Sequence, residues 1–301
     1  MAFPGPARPL TGGQYVERDD IGARASVALY YHGIPVCGGV VLRDRYILTT
    51  AHCFTDGRGH INASAKEFRV RYWGSEKAKR DIRQGVKLAV NENYLRQERA
   101  SYPSGPKPGD FADFPVNLED IAVLKIDGTH PTEAISAFVS DIDNDYTAEG
   151  GVGNSTWFYI YGAAVDGSFD KLQRALIGQY GQLDRVIPGK PPETSYTVRQ
   201  MTIVTDGFSK NVSDCKGDSG SGVFLVKSDG LDYGPEPAKL PDDIKLKDGM
   251  PIVVGLATQH PVSNARQKRA RCGRDVDADA FEATRVDYYH DWILSKIKEM
   301  Q

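Results

Sequence analysis

The chain reads as an all-β protein with one helix at its C-terminus, and three observations predict this. Short apolar or alternating runs recur along its 301 residues in two sets of six. The runs are bounded by Gly, Pro, Asp and Ser clusters and do not alternate with helical patterns, which points to antiparallel sheets. Only the tail carries apolar residues at three- and four-residue spacing.

The first set comprises 26–31 (SVALYY), 37–42 (CGGVVL), 46–51 (YILTTA), 68–73 (FRVRYW), 86–91 (VKLAVN) and 120–126 (DIAVLKI). Residues 127–150 are acidic and turn-rich and join the sets across the back of the molecule. The second set comprises 155–162, 172–180, 196–205, 221–226, 252–257 and 281–286. Residues 95–117, 228–250 and 262–280 lengthen loops, and their Pro, Gly and charge content keeps them at the surface. In the tail Asp287 is placed to cap a helix, and Tyr289, Trp292, Ile293 and Ile297 form the stripe by which it would dock.

Composition bounds the function. At 40% hydrophobic and 26% charged, the chain is not disordered, and its length suits one large all-β domain or two packed halves. A net charge of -3 gives no reason to expect a nucleic-acid partner. No run of eighteen apolar residues is present to span a membrane, and the start, Ala2 to Arg8, has no apolar core of a secretory leader. The sequons at Asn62, Asn154 and Asn211 matter only in a eukaryotic secretory route.

Two motifs carry chemistry: Thr50-Ala51-His52-Cys53, and Asp214-Cys215-Lys216-Gly217-Asp218-Ser219-Gly220. A serine hydroxyl is a poor nucleophile at neutral pH, so an imidazole of pKa about 6.5 must take its proton. Ser219 and His52 supply the two groups. Asp120, heading the apolar run Ile121-Ala122-Val123-Leu124, is placed to fix the imidazole tautomer and stabilise the imidazolium. Gly217 lets the backbone turn so that the N–H groups of Gly217 and Ser219 converge on an oxyanion. The other histidines, His32, His60, His130, His260 and His290, lack such context and read as surface or structural.

With Cys37-Gly38-Gly39 added, these motifs resemble the chymotrypsin-like (trypsin-type) serine proteases, in the same order His, Asp, Ser. The likeness runs from about Leu10 to the C-terminus. It implies two six-stranded antiparallel β-barrels with the active site between them, followed by the C-terminal α-helix. The divisions would be a pro-segment at 1–9, an N-terminal barrel half at 10–130, a C-terminal half at 150–286 and the helix at 287–301, one peptidase domain overall.

Four cysteines allow three pairings. The resemblance implies Cys37 with Cys53 and Cys215 with Cys272, whereas the residues alone leave reduced buried thiols as an alternative. It also implies a zymogen in which a freed Leu10 α-amine pairs with Asp218, although Arg8-Pro9 is an unusual activation site because proline resists ordinary proteases. For the substrate pocket the resemblance points to Ser213, Asp214, Thr258, Gln259, His260 and Phe281. Ser213 stands where an aspartate would select Arg or Lys, and Thr258-Gln259-His260 replaces Ser-Trp-Gly, so specificity departs from that of trypsin. Ser221-Gly222 replaces the common Gly-Pro.

No cofactor is expected. Cys-x-x-Cys and His-x-x-x-His spacings are absent, and the segment after Trp73 is too basic for calcium. The basic loop Arg266-Gln-Lys268-Arg269-Ala-Arg271 is a solvated surface or, alternatively, an exosite or self-cleavage point. Expected partners are protein or peptide substrates, an activating protease and protein inhibitors, with the chain a monomer, secreted or extracytoplasmic. A protease-like binding or regulatory protein is the rival reading. A nucleophile-elbow esterase is disfavoured because Gly-x-Ser-x-Gly and alternating helices are missing.

Overall fold

The computed structural model describes residues 14–16, 20–43, 45–73, 81–101, 119–139, 157–163, 172–181, 200–204, 218–225, 251–259 and 280–301. β1 (Gln14–Tyr15) and α1 (Ile21–Arg24) lead into β2 (Ser26–Tyr31), β3 (Ile34–Val41), β4 (Tyr46–Thr49), β5 (Phe68–Tyr72) and β6 (Ile82–Val90). α2 (Glu92–Ser101) precedes β7 (Ala122–Ile126) and β8 (Phe138–Val139). Then come β9 (Trp157–Ala163), β10 (Leu172–Gly181), β11 (Gln200–Val204), β12 (Gly222–Leu225), β13 (Ile252–Gln259), β14 (Ala280–Arg285) and α3 (His290–Glu299).

Each run expected to be a strand contains one among the described residues. The first set closes into an antiparallel barrel in the order β2-β3-β4-β7-β6-β5. In the second sheet β9 pairs with both β10 and β12, and the remaining pairings run β10-β11-β14-β13-β12, so these six strands form a ring. Counted along the chain, both sets follow the same order: first, second, third, sixth, fifth, fourth. β1 adds to β10, and β8 lies parallel against β13.

Helix is not confined to the tail, contrary to the expectation from sequence. At α2 the Asn91 side chain accepts the Asn93 N–H at 2.9 Å, and the Asn91 carbonyl accepts the Leu95 N–H at 3.3 Å. The first bond satisfies a donor that a helix start leaves unpaired, the second is the first bond within the helix, and Glu92 puts negative charge in the first turn. α1 is capped in the same manner, by Asp20 Oδ1 on the Ala23 N–H at 2.9 Å. Asp287 does not cap α3. Its carboxylate takes two bonds from the Arg285 guanidinium, one of them at 3.1 Å from Nε, and a single 3-10 turn, Asp287–Tyr289, comes before the α-helix.

β7 organises the core because both its faces are buried. Ala122, Leu124 and Ile126 join Val27, Leu29, Phe68 and Val70 inside the barrel. Ile121 and Val123 point the other way, into a cluster with Leu48, Phe224, Leu256, Ile293 and Ile297 that unites barrel, second sheet and α3. The predicted tail stripe is in place: Tyr289, Ile293 and Ile297 are buried and Trp292 is half-buried. On the outward face of β7, buried Lys125 donates its ammonium to the carbonyls of Met300 and Gln301, and Tyr46 donates its hydroxyl to the Ile297 carbonyl at 3.2 Å. Among the described residues no helix is long and apolar enough to cross a membrane.

Ile293 is 1% exposed and its chain neighbour Leu294 is 40% exposed. Ile293→Ala is expected to cost about 2–5 kcal/mol through lost contacts and a cavity, and Leu294→Ala less than about 0.5 kcal/mol. Urea denaturation of the two variants checks this, and equal losses would show that the stripe does not seat the helix.

Candidate active site

His52 sits in one 3-10 turn, Ala51–Phe54, that leaves the end of β4. The turn is anchored by Ala51 and Phe54, both fully buried, with Phe54 packed edge-on against Phe68 at a centroid distance of 4.6 Å. β4 pairs with β7 so that Thr49 faces Ala122. His52 is three residues past this pair and Asp120 two residues before it, so antiparallel pairing brings both off the same end of the barrel.

The contact that results is direct. Asp120, 4% exposed, accepts the His52 main-chain N–H on Oδ1 at 2.9 Å and lies 2.6 Å from His52 Nδ1 through Oδ2. Its carbonyl accepts the Thr284 hydroxyl at 3.2 Å, which ties this corner to β14 of the second sheet. With Nδ1–H committed to the carboxylate, neutral His52 keeps its lone pair on Nε2, and the side chain is 31% exposed. Burial alone lowers the imidazole pKa. The charge of Asp120, its hydrogen bond and the charge of Glu98 act against burial and leave the pKa raised above 6.5.

Ser219 reaches this corner through its backbone. Its carbonyl accepts the Gly38 N–H at 2.8 Å, and Gly38 follows Cys37, which is disulfide-bonded to Cys53 beside His52. In the chain-entropy account closing this loop stabilises the fold by about 3 kcal/mol. The next residue, Gly220, has φ +80°, and a Cβ there would lie 2.3 Å from Thr49 Oγ1 and 2.6 Å from the Gly38 carbonyl. Gly220 N–H donates to the Ala257 carbonyl and Ala257 N–H to the Ser221 carbonyl, at 2.8 and 2.9 Å, so β13 grips the serine turn next to Thr258. Ser221 fits at this position because residue 38 has no side chain: a Cβ on Gly38 would come 2.3 Å from Ser221 Oγ.

Asp218 is buried at 1% exposure, and its carbonyl accepts the Ser221 N–H at 2.9 Å. Thr258 is buried, Gln259 pairs with Glu282 across β14, and Phe281 pairs with Ile203 across β11. Leu10, Ser213, Asp214, Cys215, Gly217, His260 and Cys272 lie outside the described residues, as do the segment after Trp73, the basic loop and the sequons at Asn154 and Asn211. The ligand atoms of Cys37, His52 and Cys53 lie within 4.8 Å of one another, but the two sulfurs are bonded together and offer no thiolates to a metal. His130 is structural, with Nδ1 2.7 Å from the Tyr72 hydroxyl, and His32 and His60 are exposed.

Reading the sequence missed Tyr94 and Glu98, buried on one face of α2 behind His52. Their i, i+4 spacing after the Asn91-Glu92 cap was the available signal.

Gly220→Ala is expected to destabilise by at least about 2 kcal/mol, combining left-handed strain with overlap against Thr49 and Gly38. Gly33→Ala is the control, since Gly33 has φ +82° and an added methyl there would meet nothing within 4 Å. Strain alone then applies, at about 1 kcal/mol. Thermal unfolding of the pair checks whether the serine turn is packed as tightly as its geometry implies.

Comparison with known proteins agrees with the fold. The family model for trypsin matches residues 12–231. No curated protein shows significant sequence similarity to the chain. Among solved structures, human heparin binding protein superposes with a TM-score of 0.55 at 15% identity, over 94% of this chain and 95% of that one. At that identity the likeness speaks for the fold alone. The family match spans well over half the chain and includes His52, Asp120 and Ser219, and the chain therefore belongs to the trypsin family of serine peptidases.

Proposed function

We propose that the chain is a serine endopeptidase that cleaves peptide bonds through an acyl-enzyme. The observation that carries this reading is the His52–Asp120 pair, in which one oxygen of a buried carboxylate holds the partly exposed imidazole and the other holds the His52 main-chain N–H. Ser219 Oγ attacks the substrate carbonyl carbon while His52 Nε2 takes the hydroxyl proton. The N–H groups of Gly217 and Ser219 receive the oxyanion, and collapse expels the amine, which leaves with the proton from His52. Water then repeats the sequence on the ester and frees Ser219. Asp120 stays ionised throughout and stabilises the imidazolium.

In this reading the enzyme is made as a zymogen. Removal of Met1–Pro9 frees the Leu10 amine to pair with Asp218, which is buried. The protein is secreted or extracytoplasmic and monomeric, and meets an activating protease and protein inhibitors. Ser213, Asp214, Thr258, Gln259, His260 and Phe281 form a pocket that differs from that of trypsin. His260 would favour an acidic side chain.

A second reading, a binding or regulatory protein, draws on the likeness to a protein named for binding heparin. Retention of His52, Asp120 and Ser219 weighs against it.

Incubation with a fluorophosphonate, read by intact mass beside Ser219→Ala, tests the two together. Peptidase chemistry predicts one adduct on wild-type chains that begin at Leu10 and none on the variant. Full labelling of chains that begin at Met1 would remove the zymogen step, and no labelling of folded, processed protein would favour the binding reading. The raised pKa of His52 gives a second prediction. The base must be neutral, so kcat/KM rises with pH through the His52 pKa, and its acid limb should lie above pH 6.5. Asp120→Asn should lower kcat on the order of 10⁴-fold by freeing the wrong tautomer. A limb at or below pH 6.5 would mean that Asp120 and Glu98 together do not outweigh burial.

A further inference from the structure

We propose that Glu98 is a positioning residue for His52: from α2 it grips the loop that follows the histidine and sets a second negative charge behind the imidazole. The kinetic consequences rest on the peptidase reading, whereas the grip and the charge can be tested without it.

Glu98 is 1% exposed, a burial that costs a carboxylate several kcal/mol unless its oxygens are bonded. Three donors meet it. Oε1 accepts the Thr55 hydroxyl at 3.1 Å and the Tyr94 hydroxyl at 2.5 Å, and Oε2 accepts the Gly59 N–H at 2.9 Å. Thr55 directly follows the turn that carries His52, and its own N–H reaches the His52 carbonyl at 3.5 Å. Gly59 has φ +74°, and a Cβ there would lie 2.2 Å from the Leu95 carbonyl and 2.5 Å from Arg99 Cγ, so the loop is flush against α2. The loop's ends are tied as well, by a bridge between Thr55 and Ile61 and by the Asn62 N–H on the Phe54 carbonyl at 3.0 Å. The turn bearing the imidazole is thus held from one side by Asp120 and from the other by Glu98.

The charge on Glu98 is felt at the site. It helps raise the His52 pKa, while burial first and the Asp120 charge last act to raise that of Glu98 itself, against the bonds from Tyr94, Gly59 and Thr55. The titratable groups around Glu98 are Tyr94 on α2, Asp120 before β7 and His52 on its turn. Asp56 and His60 pair with each other at the exposed rim of the loop, and Arg99 turns its Nε to the Leu95 carbonyl. Among the described residues no Lys or Arg forms an ion pair with Glu98.

The test is an NMR titration of the His52 ring in wild type and Glu98→Gln, followed by pH profiles of kcat and KM that add Glu98→Ala. Glutamine keeps the shape and an acceptor while removing the charge. The expected result is a fall in the His52 titration midpoint in Glu98→Gln, with the acid limb of kcat/KM moving to lower pH and KM unchanged. Glu98→Ala is expected to lower kcat by about ten- to a hundred-fold through a loosened turn, and Glu98→Gln to restore most of that loss. An unmoved midpoint in Glu98→Gln together with wild-type kcat in a folded Glu98→Ala would overturn the proposal and leave Glu98 as core filling. Where Glu98→Ala does not fold, the midpoint in Glu98→Gln decides by itself. A wild type that cleaves no peptide but shows the midpoint shift would count against the peptidase reading and uphold the role of Glu98.

Discussion

Both oxygens of Asp120 are committed to His52, one to its main chain and one to its ring, and much of the molecule exists to make that burial tolerable. A carboxylate at 4% exposure needs every bond it can obtain. It obtains them because β7, immediately after it, is fixed on both faces. Ala122 and Leu124 are locked in the barrel, Ile121 and Val123 in the cluster shared with the second sheet and α3. A shift of one residue would exchange the two faces, expel Lys125 from the C-terminal carbonyls and take Asp120 away from His52. The register that packs the core is therefore the register that assembles the pair.

The two halves meet where side chains are smallest. Gly38 on β3, and Gly220 and Gly222 around the start of β12, each lie where a Cβ would strike the opposing segment, at Ser221, Thr49 and Val40 respectively. Close approach lets main-chain groups, which have no rotamers to misplace, set the position of Ser219. The disulfide extends this logic, since it links the strand that holds the Ser219 carbonyl to the turn that holds His52. Thr284 closes the circuit from the second sheet to the Asp120 carbonyl.

The strands were legible because each half-buried strand must alternate or run apolar between turn residues, and the 26–31 run has the same bounds as β2. β6 begins earlier than its apolar run because Ile82–Gln84 pair with β5 while staying largely exposed, so burial left no mark on their sequence. α2 escaped for the opposite reason. Its sequence, Glu92-Asn-Tyr-Leu-Arg-Gln-Glu-Arg-Ala-Ser101, is mostly polar, and one of its most buried side chains is an acid. The proximity of His52 to Asp120 was suggested by the short stretches around them. Glu98 was not, because its partners at Thr55 and Gly59 lie some forty residues upstream and meet it only once the barrel has closed.

A second acid near the imidazole has a cost as well as a use. Raising the basicity of His52 strengthens it as a proton acceptor but narrows the pH range in which it is neutral, and the best compromise for a general base lies near the working pH. Burial pulls the imidazole down while Asp120 and Glu98 push it up, so the balance depends on how deeply each is covered. Asp120 has little latitude, because moving it breaks the tautomer. Glu98 has more, since it acts through charge and through a loop, and it stands on a helix that the barrel topology does not require. Under the peptidase reading, substitution in α2 would therefore retune His52 as a base while the motifs around His52, Asp120 and Ser219 stay unchanged.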